Sequence, residues 1–235
     1  STALMSVAKG QAELTARNLA TLANTYMAEE IKMAKSTAVD PLVKAAAAAV
    51  NEGGLESADE AVKEADGLLG GVKASAGTGY NILFITDSTG TVIADSERGK
   101  YREKKLSIKD RDYFKMVQSS GKTSVGSPVL SKTTGLPVVV IAVPLRSSSG
   151  QFIGMYGVSL YLDALSKEIT QIKVGETGYP FMADKKGMII AHPNKDHILK
   201  LDLTRLNGME SIVSNMLDQK SGVDTYTFKG TDKIA

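Results

Sequence analysis

The sequence predicts an α+β fold in which a long N-terminal helix precedes two modules, each an antiparallel sheet with flanking helices. Three observations carry this. One pattern occurs twice, 97 residues apart: Phe84-Ile85-Thr86-Asp87-Ser88-Thr89-Gly90-Thr91-Val92-Ile93-Ala94 and Phe181-Met182-Ala183-Asp184-Lys185-Lys186-Gly187-Met188-Ile189-Ile190-Ala191. Each copy reads as an apolar strand, a turn opened by Asp and closed by Gly, and a second apolar strand. The Asp carboxylate can accept from the backbone two residues on, and Gly supplies the positive φ of a tight turn. Two copies in one register imply two related β-rich modules. The opening residues are rich in Ala, Leu, Met, Glu and Lys, with no Pro and no Gly after Gly10 until well past position 35. Residues 124–160 hold three β-rich runs separated by Gly-containing turns.

The elements follow in order. Residues 1–36 are good helix formers, and Leu4, Val7, Leu14, Leu22, Tyr26 and Met33 recur at roughly helical spacing. A helix of about 30 residues is about 45 Å long, a length suited to a stalk. Asp40-Pro41 reads as an N-cap followed by Pro in the first turn, opening an Ala-rich helix to Val50 that Asn51-Glu52-Gly53-Gly54 ends. Ser57 and Glu60 stand in capping-box spacing and open a helix to Leu69. Gly70, Gly71, Gly77 and Gly79 then form a loop. Asn81–Thr86 and Thr91–Ala94 are the first hairpin, and Asp110–Ser119 is a short helix. Ser124–Leu130, Pro137–Leu145 and Gln151–Leu160 are strands, the middle one β-branched along its length as in a doubly buried strand. This makes a five-stranded sheet with helices on one face, a PAS-like arrangement. Leu162–Ile172 is a connecting helix. Gly178–Ala183 and Met188–His192 repeat the hairpin, and Val223–Lys229 begins a further strand. The chain opens within a helix and stops as a strand begins at Lys233, so it reads as a piece of a longer protein.

Composition narrows the function. Aromatics are 6% with no Trp, which argues against a stacking platform for nucleic acid. The net charge of +2 is too balanced to imply an anionic polymer or lipid surface. The absence of Cys removes thiol catalysis and thiolate metal sites. No run of about 18 apolar residues is present to span a membrane. Ser6-x-x-Lys9 and Ser119-x-x-Lys122 match a penicillin-binding string, but the Ser-Asp-Asn and Lys-Thr-Gly partners of that chemistry are missing. No nucleophile–base cluster suggests an enzyme. His192 and His197, the only histidines, lack an acidic cluster and read as structural rather than metal-ligating. No cofactor or metal is expected.

Several strings resemble the double Cache (dCache) domain of bacterial methyl-accepting chemotaxis proteins and related membrane sensor kinases. Ile108-Lys109-Asp110-Arg111-Asp112-Tyr113-Phe114 resembles that family's distal helix, Ser127–Gly135 its sheet hairpin, and Gly154–Leu160 the strand that closes its pocket. Gly175-Glu176-Thr177-Gly178-Tyr179 with Ala191-His192-Pro193-Asn194 resembles the opening of its proximal module. The resemblance implies a stalk helix at 1–36, a membrane-distal ligand-binding module at 37–160, a connecting helix at 161–172 and a membrane-proximal module, truncated at its C-terminus, at 173–235. It implies a sensor domain outside the cytoplasmic membrane, a small-molecule ligand, a homodimeric full-length receptor and membrane segments beyond this chain. The alternatives are the sensor domain of a histidine kinase or diguanylate cyclase and, less favoured, a free-standing solute-binding protein.

In the family's amino-acid-binding branch, an Arg and aromatics of the distal helix hold the ligand carboxylate, and acids and tyrosines hold its ammonium. Arg111, Tyr113 and Phe114 match the first group, although the branch has Trp then Tyr after the Arg. A guanidinium is a bidentate donor fork for a carboxylate. The bland alternative is a surface pair of Arg111 with Asp110 or Asp112. The ammonium group departs: its strand Asp falls on Ser159, its hairpin acid on Ser131, one Tyr on Val129 and another on Leu106. A buried ammonium without an anionic partner is costly. The expected ligand is therefore a small carboxylate without an α-ammonium, such as a hydroxy- or keto-acid, with an amino acid as the alternative.

Overall fold

The computed structural model describes residues 2–228 and 230–235, so Lys229, the last residue of the expected strand 223–229, lies outside the described residues, as does Ser1. The chain divides into two compact units, Ala28–Tyr161 and the described residues up to Met27 together with Leu162–Ala235.

α1 (Thr2–Ala38) is the long helix. Its residues Leu4, Val7, Leu14 and Leu22, which recur at roughly helical spacing, are between 39% and 72% exposed and so bury little. Propensity and ion pairs such as Arg17–Glu13, at 2.7 Å, support that stretch instead.

The unit of residues 28–161 continues with α2 (Pro41–Ser57) and α3 (Asp59–Ala76). Asp40 caps α2 by accepting from the Leu42 amide at 2.9 Å. Gly54, at φ +79°, breaks α2 near its end. Two expectations fail here. The Ser57–Glu60 box does not form: Ala58 is the cap residue of α3, and the Ser57 hydroxyl donates to the Gly54 carbonyl. The helix also runs through Gly70 and Gly71 rather than ending before them. Each glycine costs a helix about 1 kcal/mol, and packing of the buried stripe Val62, Ala65 and Leu69 outweighs that.

The sheet consists of β1 (Tyr80–Asp87), β2 (Val92–Asp95), β3 (Ser124–Val125), β4 (Val129–Leu130), β5 (Pro137–Arg146) and β6 (Phe152–Tyr161). Its order is β2-β1-β6-β5-β3, all antiparallel, with β4 on the same edge of β5 as β3. The single strand expected over 124–130 is therefore two short ones, separated at Gly126-Ser127-Pro128. Helices cover both faces, not one. Alternate residues of the strands, including Ile82, Phe84, Val138, Val140, Ala142 and Met155, form one core with Tyr113, Phe114 and Val117 of α5 (Asp112–Ser120). The short α4 (Lys100–Glu103) adds Tyr101 to that core. The opposite parity, including Leu83, Ile85, Ile141 and Leu160, is equally buried on the face that α2 and α3 contact. A buried ion pair ties α3 to α4: Asp66 meets Arg102 at 2.6 Å and also accepts from the Asp95 amide.

The other unit contains α6 (Leu162–Thr170), β7 (Met182–Ala183), β8 (Ile189–Ala191), α7 (Glu210–Leu217), β9 (Thr225–Phe228) and β10 (Thr231–Ile234). Its strands pair as two separate antiparallel ladders, β7-β8 and β10-β9. Ile189, Leu203, Met209, Ile212 and Val213 are its core. Both copies of the repeated pattern are hairpins with one turn chemistry. Asp87 Oδ1 accepts from the amides of Thr89 and Thr91 at 2.8 and 3.0 Å. Asp184 Oδ1 accepts from those of Lys186 and Met188 at the same two distances. Gly90 and Gly187 stand at φ +86° and +87°.

Candidate functional site

A cavity of about 30 Å³ opens between α5, the segment before it, and the sheet, room for about two waters. The pleat builds its floor. Residues two apart on a strand share a face, so Ile82 and Phe84 of β1, Val138 and Val140 of β5, and Ser159 of β6 turn the same way, and all five line it. Gly157 admits the Phe84 ring, since a Cβ there would collide with it. Val129 pairs with Val138 and joins the wall from β4.

Arg111 precedes α5 with extended backbone, φ −73° and ψ 141°, and its side chain reaches the cavity. The half-buried guanidinium donates from Nη2 to the Leu130 carbonyl at 2.9 Å. The surface pairing weighed for it is not made: Asp110 pairs with Lys132 at 2.5 Å and Asp112 Oδ2 accepts from the Ser127 amide. The Lys132 hydrogen bond holds the Asp110 carboxyl below its usual range. Tyr113 lines the cavity and is 4% exposed. Burial pushes its phenol up, and its hydroxyl makes no hydrogen bond among the described residues.

Phe114 does not line the cavity, which corrects the expectation that it joins Arg111 and Tyr113 there. Consecutive helical residues point about 100° apart, so the turn that aims Tyr113 inward sends Phe114 elsewhere. It packs edge-on against Phe152 with ring centroids 6.1 Å apart.

The polar wall holds the two expected serines and one residue that pattern reading missed. Ser131 opens the turn after β4 rather than lying on a strand, and is 9% exposed. Ser159 is 2% exposed. Asn81, 5% exposed, donates from Nδ2 to Ser131 Oγ at 2.8 Å and to Ser159 Oγ at 3.2 Å. Strict alternation would turn Asn81 away from Ile82. The pairing of β1 with β6 shifts register between Tyr80 and Ile82, and a bulge of this kind re-aims a side chain. A lone Asn in an otherwise apolar strand is the sequence signal for it. Arg111 and Lys132 both line the cavity, the Lys132 ammonium being already paired with Asp110, and none of the described residues lining it is acidic.

In the other unit, His192 Nδ1 accepts from the Asn194 amide at 2.8 Å and its Nε2 meets His197 Nδ1 at 3.3 Å. This is a turn-forming role. Burial, then the neighbouring His197, holds the His192 pKa below its ordinary value. Among the described residues no group of three or more His, Cys, Asp or Glu could hold a metal ion, and no helix is long and apolar enough to cross a membrane.

A family model described as a Cache domain, dCache_1, matches residues 1–235. The methyl-accepting chemotaxis protein McpA of Pseudomonas putida is 30% identical over 127 residues, 54% of this chain and 19% of its own length. The chain thus spans about a fifth of that relative. The sensory domain of the Campylobacter jejuni chemoreceptor Tlp3 superposes with a TM-score of 0.68 at 16% identity, covering 98% of this chain and 88% of that one. The ligand-binding domain of the Pseudomonas aeruginosa amino acid chemoreceptor PctB, in complex with L-Arg, gives 0.60 at 20% identity, covering 90% and 80%. At these identities the structural likeness establishes the fold.

Proposed function

The chain belongs to the Cache domain family, and on that premise we propose that it is the ligand-binding sensor domain of a bacterial transmembrane chemoreceptor, facing the outside of the cytoplasmic membrane. The ligand binds in the cavity beneath α5, contacted by Arg111, Tyr113, Val129, Ser131 and Ser159, with Phe114 supporting the helix from behind. The role is binding, not catalysis, and no cofactor takes part. The receptor works as a homodimer, and the exposed apolar residues Leu4, Val7, Leu14 and Leu22 of α1 are available to pair with a second copy.

The ligand class is a small carboxylate without an α-ammonium. One observation carries this: Arg111, which pairs with no acid among the described residues, lines the cavity, and no described acid does. A carboxylate finds charge-assisted donors there, whereas an ammonium would be desolvated with no anion to meet it. The second reading is an amino-acid ligand, favoured by the complex of PctB with L-Arg. A thermal-shift screen of short hydroxy- and keto-acids against amino acids separates the two. A ligand that binds only the folded state raises stability by RT ln(1 + [L]/Kd), so micromolar affinity is visible at millimolar dose. Calorimetry then tests Ser159→Asp, which places an anion on the wall and weakens an organic acid. A wild-type domain that binds amino acids and ignores organic acids overturns this assignment.

A further inference from the structure

We propose that a seam of side chains between residues 106–113 and 127–133 closes the cavity, and that Lys132 is the gate of that seam, setting how fast a ligand enters and leaves. The inference rests on reading the cavity as the ligand site.

The volume requires a moving part. At about 30 Å³ the cavity holds about two waters. Any carboxylate with a carbon chain is larger, so a wall has to part. The floor does not supply that motion: β1, β6 and β5 are interior strands, each paired on both edges. The cover consists of two segments. Residues 106–113 are anchored on their outer side by backbone bonds, from the Val92 amide to the Leu106 carbonyl and from the Ile108 amide to the Gly90 carbonyl, both 2.8 Å. Residues 127–133 are anchored on theirs by the pairing of β4 with β5 and by the Asn81 amide on Ser131. Among the described residues no backbone–backbone hydrogen bond joins one segment to the other. Four contacts cross between them, and each uses a side chain. Arg111 donates to the Leu130 carbonyl and the Ser127 amide donates to Asp112, both at 2.9 Å. Lys132 donates to the Ser107 carbonyl at 2.9 Å and pairs with Asp110 at 2.5 Å. The seam is therefore the line along which the cover opens. Lys132 makes half of its contacts, with a side chain 31% exposed facing a carboxylate side chain 59% exposed. An ion pair so open to water holds weakly, so it parts and re-forms readily. Arg111 links closure to the ligand. It spans the seam through one N–H, and a carboxylate on the others leaves that bond in place, so the cover closes over the ligand. A gate changes entry and exit alike, whereas a lost ligand contact changes chiefly the exit rate.

The test uses the 235-residue chain, first with no ligand added. Amide hydrogen exchange read by mass spectrometry is expected to run about two- to fivefold faster over 106–113 and 127–133 in Lys132→Met, the factor that an exposed ion pair supplies, while β6 keeps its wild-type rate. Lys132→Arg retains the charge and the reach, and its exchange stays near that of the wild type. Unchanged exchange in Lys132→Met, or equal acceleration in β6, overturns the gate. Pyruvate is then the probe in stopped-flow binding. Lys132→Met is expected to raise its association and dissociation rates by the same factor, with Kd held. A rise in dissociation alone makes Lys132 a ligand contact and overturns the gate. Pyruvate that leaves wild-type exchange unchanged in both segments instead overturns the reading of the cavity as a carboxylate site, and the comparison without ligand still decides the seam.

Discussion

Replacing Arg111 with Ala tests the proposed site most directly. The guanidinium has five N–H donors, of which one is engaged with the Leu130 carbonyl at 2.9 Å. Up to four remain for a ligand carboxylate. A hydrogen bond to a charged group is worth about 1.5–3 kcal/mol, and truncating one partner of a buried charge pair costs about 2–5 kcal/mol. Arg111 is half-buried rather than buried, which lowers the upper bound through solvent screening. The expected loss is about 2–4 kcal/mol of binding, roughly 30- to 1000-fold in Kd. Arg111→Lys keeps the charge but not the planar fork and falls between. Losing the Leu130 bond costs about 1 kcal/mol of folding stability, so a denaturant titration beside the calorimetry separates unfolding from lost binding. An Arg111→Ala domain that is folded and binds the wild-type ligand with wild-type affinity refutes the reasoning.

Three further outcomes are expected. Arg102→Met leaves Asp66 buried and uncompensated and destabilises the domain by about 3–5 kcal/mol. Asp66→Asn/Arg102→Met recovers part of that in chemical denaturation, and a double variant no better than the single one would count against the ion pair. Gly157→Ala drives a methyl against the Phe84 ring, which is 4% exposed and has little room to yield. About 1–3 kcal/mol of stability and some ligand affinity are lost together, measured by denaturation midpoint and calorimetry. The third outcome concerns pH. The folded pKa of His192 lies below its ordinary 6.5, first through burial and then through His197. Its contribution to stability is therefore present above about 6.5 and is lost as pH falls from there through the depressed folded value. Stability measured from pH 7 to 5 falls in the wild type and falls less in His192→Gln; equal slopes would remove His192 as the cause.

Local chemistry makes much of the architecture legible in the amino-acid order. Asp87 with Gly90 and Asp184 with Gly187 form their turns from residues within five positions of one another, and Asp40 caps the helix that Pro41 opens. Such features depend on short-range hydrogen bonds and on φ alone, so they read directly from sequence. The ligand class proposed rests on a reading of the same local kind: Ser131 and Ser159 stand where the family resemblance implies acids, and no described acid lines the cavity. Other features are decided by packing across the fold. The helix through Gly70 and Gly71 survives because its apolar stripe is buried against the sheet, a gain that propensity does not contain. Tyr113 and Phe114 are equivalent as letters, and only the rotation of α5 over the sheet gives one to the cavity and the other to Phe152. Asn81 reaches the polar wall because β1 bulges against β6, a register slip between strands that are more than 70 residues apart in the chain. Tertiary pairing sets that register, and with it the direction in which the amide points.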